Sequence, residues 1–255
     1  MKKTLEGKNV IITGTAGGIG SEMVRYLALQ GANIFAHARK ETEEHAVLCK
    51  EAAEQNSVEI YPIYFDLTDP DGIKKAVKEI RDKKVSIDGL VNNAGIGSNS
   101  LFQMTSMDEL RNVFESDFFG PYLFTQYISK IMTRQGKGSI VTISSTSALD
   151  GNSGKSTYGA AKAALITMTK SIAEELGRSG IRANSICPGV IMTEAAKMMP
   201  EYIFEIEKDA TFLGKLGETS DVAKVAAFLV SDMSEYVTGQ VIRVDGGKRV
   251  YRKEK

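Results

Sequence analysis

The chain has 255 residues, and its 32 lysines and arginines are balanced by 32 aspartates and glutamates. This length suits one α/β domain, and the even charge argues against a nucleic-acid-binding surface. Cys49, Cys187, His37 and His45 are too few and too scattered for a disulfide framework or a metal cage. No run reaches the roughly 18 apolar residues that cross a bilayer, and residues 1–7 carry no signal-type segment. We therefore predict a cytoplasmic protein with no metal site, nucleic-acid partner or membrane contact.

The first predicted elements are a buried strand over residues 9–13, a glycine-rich turn and a helix over residues 21–30. The turn contains Gly14, Gly18 and Gly20. In such a turn the first glycine allows the sharp bend, the second lets the backbone approach a pyrophosphate, and the third lets helix and strand pack closely. The spacing predicts a phosphate-binding turn, with an ordinary loop as the alternative.

A second strand over residues 33–38 ends in His37-Ala38-Arg39-Lys40, and the first acidic side chain after it is Glu41. In folds of this kind the end of this strand lies beside the adenosine ribose. An acidic residue there would accept a hydrogen bond from a free 2′-hydroxyl, whereas two cations favour a 2′-phosphate. The pattern therefore predicts NADP as the cofactor, unless Arg39 and Lys40 lie in a solvated loop.

The following segments continue the alternation of strands and helices. Predicted helices cover residues 41–55, 71–83, 107–132 and 158–176, and predicted strands cover residues 58–65, 89–91, 138–144 and 181–187. This order predicts a doubly wound parallel sheet with helices on both faces and ligands at the carboxyl ends of the strands. Residues that follow a strand end are Gly14, Arg39, Asp66, Asn93, Ser145 and Pro188. Asp66 suits an adenine contact, and the segment Asp66-Leu67-Thr68-Asp69 also suits a cap for the helix that begins at Pro70.

Tyr158 and Lys162 lie four residues apart, on one face of a predicted helix that Ser156 or Thr157 would cap. A free phenol loses its proton near about pH 10, so it needs a nearby positive charge to shuttle protons at neutral pH. Lys162 supplies such a charge. The pair predicts acid–base chemistry, and a surface pair on an amphipathic helix is the alternative.

Six motifs together resemble one enzyme family over nearly the whole chain. They are Thr13-Gly14-x-x-x-Gly18-Ile19-Gly20, Asp66-Leu67-Thr68, Asn92-Asn93-Ala94-Gly95, Ser145, Tyr158-x-x-x-Lys162 and Pro188-Gly189. The family is that of the short-chain dehydrogenases/reductases. Residues 236–247 are similar to the ending of the bacterial 3-oxoacyl-acyl-carrier-protein reductases of fatty acid biosynthesis and their close relatives.

The resemblance implies a Rossmann fold and hydride transfer between a nicotinamide cofactor and a carbonyl carbon. It implies that Tyr158 protonates the carbonyl oxygen, Ser145 orients that oxygen, and Lys162 holds the nicotinamide ribose. The implied cofactor contacts are Gly14, Thr15, Gly18, Ile19, Gly20, Arg39, Asp66, Leu67, Asn93, Ala94, Gly95, Tyr158, Lys162, Pro188, Gly189, Ile191 and Thr193. Asp117 and Gly17 depart from the pattern, because the family usually has Asn and many NADP-dependent members have Arg there. A carboxylate at Asp117 is expected to form an ion pair with Lys162, or else to cap a helix kink.

The resemblance also implies one domain over residues 1–255, with residues 192–213 as a lid over the substrate. We expect a homotetramer or homodimer that forms through the helices over residues 108–132 and 158–176. The leading hypothesis is NADPH-dependent carbonyl reduction of a small molecule or of a 3-oxoacyl thioester on acyl carrier protein. Arg134, Lys137, Arg178 and Arg182 are candidate contacts for that acidic carrier, or else solvated surface. The alternatives are an alcohol, sugar or steroid dehydrogenase and a catalytically silent nucleotide-binding protein.

Overall fold

The structure, a computed structural model, describes residues 3–194, 196 and 201–247. Seven parallel strands form the central sheet in the order β3-β2-β1-β4-β5-β6-β9. These strands are β1 (Asn9–Ile12), β2 (Asn33–Ala38), β3 (Ile60–Tyr64), β4 (Gly89–Asn92), β5 (Gly138–Ile143), β6 (Ile181–Pro188) and β9 (Val241–Val244). Two short strands, β7 (Ile191–Met192) and β8 (Gly217–Glu218), pair in parallel outside this sheet.

Helices connect the strands and cover both faces of the sheet. They are α1 (Gly18–Leu29), α2 (Glu43–Asn56), α3 (Pro70–Asp82), α4 (Met107–Phe114), α5 (Gly120–Gln135), α6 (Ser147–Asp150), α7 (Ser156–Leu176), α8 (Glu201–Asp209) and α9 (Thr219–Val230). Within the described part of the chain, none of the helices is long and apolar enough to cross a membrane.

Two apolar clusters lie on the opposite faces of the sheet. Strand β1 shows why, since its side chains alternate between them: Val10 and Ile12 belong to one cluster and Ile11 to the other. The first cluster packs α1, α2 and α9 on the sheet, and the second packs α3, α5 and α7. Because both faces are covered, β1 is fully buried and reads as a continuous apolar run. The predicted doubly wound α/β architecture, a Rossmann fold, is confirmed.

Several elements were not assigned from the sequence, and β9 and α9 are the two that complete the sheet and its helical cover. Strand β9 has only four residues and is partly exposed, so it lacks a clear alternation. Helix α9 is rich in buried apolar residues, including Val222, Ala226 and Leu229, and therefore carries no simple amphipathic stripe. Both elements belong to the same fold, because β9 extends the sheet by pairing with β6.

The predicted continuous helix over residues 107–132 is wrong at its centre. A π-helical turn, Glu115–Phe119, separates α4 from α5, which continues to Gln135. Pro121 has no backbone N–H and so cannot donate to the Asp117 carbonyl four residues earlier. Apolar spacing does not reveal such a change in hydrogen bonding. The π turn brings Asp117, which is fully buried, beneath the carboxyl edge of the sheet.

Candidate active site

Two adjoining cavities lie along the carboxyl edge of the sheet. The first has a volume of about 660 Å³ and is lined by the glycine turn and the ends of β2 and β3. The second has about 370 Å³ and is lined by Ser145, Tyr158 and Lys162. Both share one wall, formed by Ile19, Asn93, Gly95, Ile96 and Thr193. Together they form an extended cleft of the shape that a dinucleotide needs.

Most of the predicted site residues line this cleft. Those lining the first cavity include Gly14, Ile19, Gly20, Arg39, Asp66, Leu67, Asn93, Ala94, Gly95 and Thr193. Those lining the second include Asn93, Gly95, Ser145, Tyr158, Lys162, Pro188, Gly189, Ile191 and Thr193. Thr15 is fully buried behind the turn, Gly18 packs near Thr193, and Asp117 lies behind Lys162.

The glycine turn fits tightly against the loop after β4. Gly14 has φ +73°, and a Cβ added to it would lie 2.7 Å from the Cα of Ala94. A Cβ on Gly20 would collide with the Gly14 carbonyl. The Asn93 side chain donates to the carbonyl oxygens of Thr13 and Gly14 at 2.9 and 3.0 Å. Side chains larger than hydrogen at Gly14 and Gly20 would therefore deform the turn at the N-terminus of α1.

Two buried histidines hold this turn from behind. The Gly14 N–H donates to His37 Nδ1 at 3.2 Å, and His37 Nε2 lies 2.9 Å from the Phe65 carbonyl. Because a carbonyl only accepts, Nε2 carries the proton and the ring is neutral. The Thr15 backbone N–H and hydroxyl both donate to the His37 carbonyl, at 2.8 and 3.0 Å. The end of β2 is thus fixed to the phosphate-binding turn by three hydrogen bonds.

The second histidine extends the network toward β3. His45 Nε2 lies 2.7 Å from Thr15 Oγ1, and Nδ1 lies 3.2 Å from the Tyr64 hydroxyl. Thr15 uses its single hydroxyl proton on the His37 carbonyl, so His45 donates to Thr15 and accepts from Tyr64. Burial lowers the pKa of both rings, that of His37 to about 4. No local sequence pattern indicates this network, because its members lie in distant segments that meet through the pairing of β1, β2 and β3 and the packing of α2 on the sheet.

The end of β2 presents Arg39 to the first cavity, and Arg39 is exposed. Across the cavity, Asp66 Oδ1 accepts from the Thr68 backbone N–H and hydroxyl, both at 2.8 Å. The Thr68 backbone N–H is the main reason why the pKa of Asp66 is lowered. Within the predicted capping segment, Asp69 is the residue that caps α3, because its carboxylate accepts from the Asp71 N–H at 3.0 Å. Asp66 is therefore ionised and orders the loop beside Arg39.

Ser145, Tyr158 and Lys162 meet in the second cavity. Ser145 lies two residues after the end of β5, and its Oγ accepts from the Ser147 N–H at 3.1 Å. Tyr158 and Lys162 lie one turn apart on α7, with Lys162 Nζ 5.5 Å from the centre of the Tyr158 ring. The prediction that Ser156 or Thr157 caps this helix is wrong. Helix α7 begins at Ser156, so the N-cap position belongs to Lys155. The Lys155 side chain has no acceptor and makes no capping hydrogen bond with the first turn.

Asp117 forms an ion pair with Lys162. Its Oδ2 lies 3.3 Å from Lys162 Nζ, and its Oδ1 accepts from the Ile96 N–H at 2.7 Å. Both side chains are almost completely excluded from solvent. A Cβ on Gly95 would lie 2.7 Å from the Nζ and 2.8 Å from Oδ2, so only glycine leaves room for the pair. The buried carboxylate therefore offsets part of the charge that Lys162 presents to Tyr158.

Lys155 is a second lysine beside the tyrosine, and the sequence reasoning did not identify it. Its Nζ lies 5.4 Å from the centre of the Tyr158 ring and donates to the Ser98 carbonyl at 3.1 Å. Burial lowers the pKa of this amino group. Lys155 lines the same cavity as Ser145 and Lys162. Its position three residues before Tyr158, one helical turn away, was the available signal.

Comparisons with known proteins agree with this geometry. The family model described as enoyl-(acyl carrier protein) reductase matches residues 14–249. A 3-oxoacyl-[acyl-carrier-protein] reductase of Thermotoga maritima is 39% identical over 244 residues, covering 95% of this chain and 98% of the relative.

Two solved structures at 30% identity share the fold. The 3-oxoacyl-[acyl-carrier protein] reductase of Brucella melitensis has a TM-score of 0.90 and covers 97% of this chain and 93% of its own. A 7α-hydroxysteroid dehydrogenase complexed with NADH and 7-oxo glycochenodeoxycholic acid has a TM-score of 0.89, with coverages of 97% and 96%. The chain therefore belongs to the short-chain dehydrogenase/reductase family, as an oxidoreductase that acts on carbonyl or alcohol groups with a nicotinamide cofactor.

Proposed function

We propose that the protein reduces a carbonyl group to a secondary alcohol with NADPH, and that Ser145, Tyr158 and Lys162 perform this reaction. The observation that carries the proposal is that these three side chains line one cavity, which adjoins the cleft beside the glycine turn. The bound nicotinamide supplies the hydride. The protein must then supply a proton to the carbonyl oxygen and hold that oxygen in place.

Tyr158 is the proposed proton donor and Ser145 the proposed hydrogen-bond donor to the same oxygen. The Ser145 hydroxyl accepts from the Ser147 N–H, so its own proton remains available for a substrate oxygen. We propose that Lys162 stabilises the phenolate that forms when Tyr158 gives up its proton, and that it also contacts the nicotinamide ribose. General acid catalysis of this kind contributes about 10²-fold to 10⁴-fold in rate.

Arg39 is the proposed reason for a preference for NADPH over NADH. Its guanidinium is exposed at the end of β2 and lines the cavity in which the adenosine end would lie. A planar guanidinium fork binds a phosphate through two parallel hydrogen bonds, whereas a ribose hydroxyl offers it much less. Gly17 provides no second cation here, so Arg39 would carry most of this discrimination.

The proposed substrate is a 3-oxoacyl thioester on acyl carrier protein. The similarity to 3-oxoacyl reductases over 95% of the chain supports it. The second candidate substrate is a small-molecule ketone, because a steroid dehydrogenase has a similar fold and fold does not select the substrate.

We also propose one domain over residues 1–255, with residues 192–213 as its substrate lid. Helix α8 belongs to this lid, while Met198 and Met199 lie outside the described residues.

Helices α5 and α7 are the proposed surface for a second copy of the chain. A groove of about 910 Å³ runs between them, and Phe119 and Tyr122 beside it are 51% and 47% exposed. Pairing of two such faces would bury these rings in a homodimer or homotetramer. Light scattering at micromolar concentration tests this, and a monomeric mass would reject it.

The candidate cations for the carrier differ in availability. Lys137 forms an ion pair with Asp88 at 2.7 Å, and Arg182 donates to the Ser231 and Val237 carbonyls. Arg134 and Arg178 are exposed near the amino ends of β5 and β6, opposite the cleft edge. A carrier bound to Arg134 and Arg178 would therefore deliver its acyl group to the cleft of a neighbouring copy of the chain. The carrier and oligomer proposals thus depend on each other.

A substrate panel tests the proposed function. Acetoacetyl and longer 3-oxoacyl thioesters, a steroid ketone, a sugar and an enoyl thioester are each incubated with NADPH while the nicotinamide absorbance is followed. We expect the 3-oxoacyl thioesters to be turned over with the highest kcat/KM. If the enoyl thioester were reduced preferentially, the proposed carbonyl reduction would be wrong and the protein would instead reduce a carbon–carbon double bond. No turnover of any member, together with retained NADPH binding, would favour a silent nucleotide-binding protein.

A further inference from the structure

Three charged side chains lie around Tyr158, and one of them, Asp117, stands where the family usually has an uncharged Asn. Lys162 and Lys155 place their Nζ atoms at 5.5 and 5.4 Å from the centre of the phenol ring. Asp117 is paired with Lys162 at 3.3 Å. The two lysines and one carboxylate sum to a single positive charge. This is the charge that Lys162 alone would provide if residue 117 were uncharged.

Among the described residues, no carboxylate forms an ion pair with Lys155. In the part of the chain that the structure describes, the hydrogen-bond partner of its Nζ is the Ser98 carbonyl, which is neutral. The pKa of Lys155 is lowered by burial, with no attraction to a carboxylate opposing this effect. The ammonium group is therefore free to act electrostatically on the ring beside it.

Other titratable groups packed near Tyr158 do not change this balance. The Glu109 carboxylate of α4 accepts from the Ser98 hydroxyl at 2.6 Å, and no attraction between it and Lys155 is resolved. Asp150 of α6 is paired with Arg243 at 2.6 Å. Burial raises the pKa of the Cys187 thiol on β6, which is therefore neutral. Glu115 in the π turn is exposed, so solvent screens its charge.

We propose that Lys155 is a positioning residue that acts through Tyr158. Its positive charge compensates for the negative charge of Asp117, which offsets the effect of Lys162 on the phenol. The inference rests on the proposed role of Tyr158 as proton donor. It explains how a buried carboxylate beside the catalytic lysine is compatible with proton transfer. Lys155 and Asp117 form a compensating pair, because their opposite charges shift the ionisation of Tyr158 in opposite directions.

The test is a cycle of four proteins: wild type, Lys155→Met, Asp117→Asn and the double variant. Methionine keeps the length of the side chain and removes its charge. The ionisation midpoint of Tyr158 is read without substrate by NMR of ¹³C-labelled tyrosine, and Tyr158→Phe assigns the signal. The pH profile of kcat for alcohol oxidation, in which Tyr158 accepts the proton, is measured in parallel.

Removing the Lys155 charge disfavours the phenolate, so both midpoints should move to higher pH by about one unit. Removing the Asp117 charge should move them to lower pH by a similar amount. The double variant should return to within about half a unit of wild type, because it loses one positive and one negative charge and their opposite effects on the phenolate cancel. Lys155→Arg keeps the charge and should behave as wild type.

The control is Lys83→Met, since Lys83 lies 4.6 Å from the Tyr61 ring on the far edge of the sheet. It should leave both readouts unchanged. If Lys155→Met leaves the midpoints at their wild-type values, the inference is wrong. A change confined to the KM of the carbonyl substrate would also overturn it, because Lys155 would then bind substrate. If the NMR midpoints move as expected but Tyr158→Phe stays active, the proposed function fails while the electrostatic inference stands. Should Lys155→Met not fold, Lys155→Gln replaces it.

Discussion

His37 makes the free energy of unfolding depend on pH. This dependence extends to higher pH than the range in which carboxylates titrate. Burial is the main cause that lowers its pKa from 6.5 to about 4, and the hydrogen bond to the Phe65 carbonyl opposes this only in part. In the unfolded chain the ring binds a proton below about pH 6.5, whereas in the folded chain it stays neutral until about pH 4. Folding therefore becomes less favourable as the pH falls from 6.5 toward 4.

The magnitude follows from the difference between the two pKa values. About 2.5 units at 1.36 kcal/mol per unit give about 3 kcal/mol in total. About 2 kcal/mol of this should already be lost between pH 7 and pH 5. That is a large fraction of the stability of an ordinary domain, which is about 5–15 kcal/mol. His45, whose pKa burial also lowers, adds to the loss in the same direction.

Urea unfolding of wild type and His37→Asn at pH 7, 6 and 5 measures this effect. Asparagine does not titrate, and its amide oxygen still suits the Gly14 N–H. We expect the free energy of unfolding of wild type to fall by about 2 kcal/mol more than that of the variant. Asn33→Ala is the matched control, because Asn33 ties the other end of β2 to Asn9 and Glu59. It should lower stability equally at each pH. Equal pH dependence in wild type and His37→Asn would refute the reasoning.

Two further predictions concern cofactor and catalysis. Arg39→Ala should weaken NADPH binding by at least about tenfold and leave NADH binding nearly unchanged, because charge-assisted hydrogen bonds to a phosphate contribute about 1.5–3 kcal/mol. Equal loss for both cofactors in titration calorimetry would contradict this. Gly95→Ala should displace Lys162 or Asp117, at a cost of about 1–3 kcal/mol in stability and at least about tenfold in kcat. Gly177→Ala, where an added Cβ meets no atom within 4 Å, is its control, and wild-type activity of Gly95→Ala would rule out this packing.

The sequence was sufficient for those features that depend on local pattern. Buried strands such as β1 read as apolar runs, and the glycine spacing before α1 predicted a turn whose Gly14 does have positive φ. In a parallel sheet the strand ends lie at one edge, so Asn93, Ser145 and Pro188 were expected to lie together, and all three line the second cavity.

Features that depend on contacts between distant segments were not predictable in the same way. His37 and Gly14 are 23 residues apart and meet only because β1 and β2 pair in register. The sequence allowed an ion pair between Asp117 and Lys162, but only the π turn brings the two to 3.3 Å. Lys155 sits at a helix start, where a capping residue was expected instead.

The central claim is that Tyr158 delivers the proton in carbonyl reduction. The most direct measurement compares kcat of wild type and Tyr158→Phe with NADPH and a 3-oxoacyl thioester, together with the Kd of NADPH for both proteins. The phenol proton is lost in the variant while the ring and the cleft remain. We therefore predict a fall in kcat of at least about 10²-fold with NADPH affinity nearly intact. Full turnover by Tyr158→Phe would contradict the account.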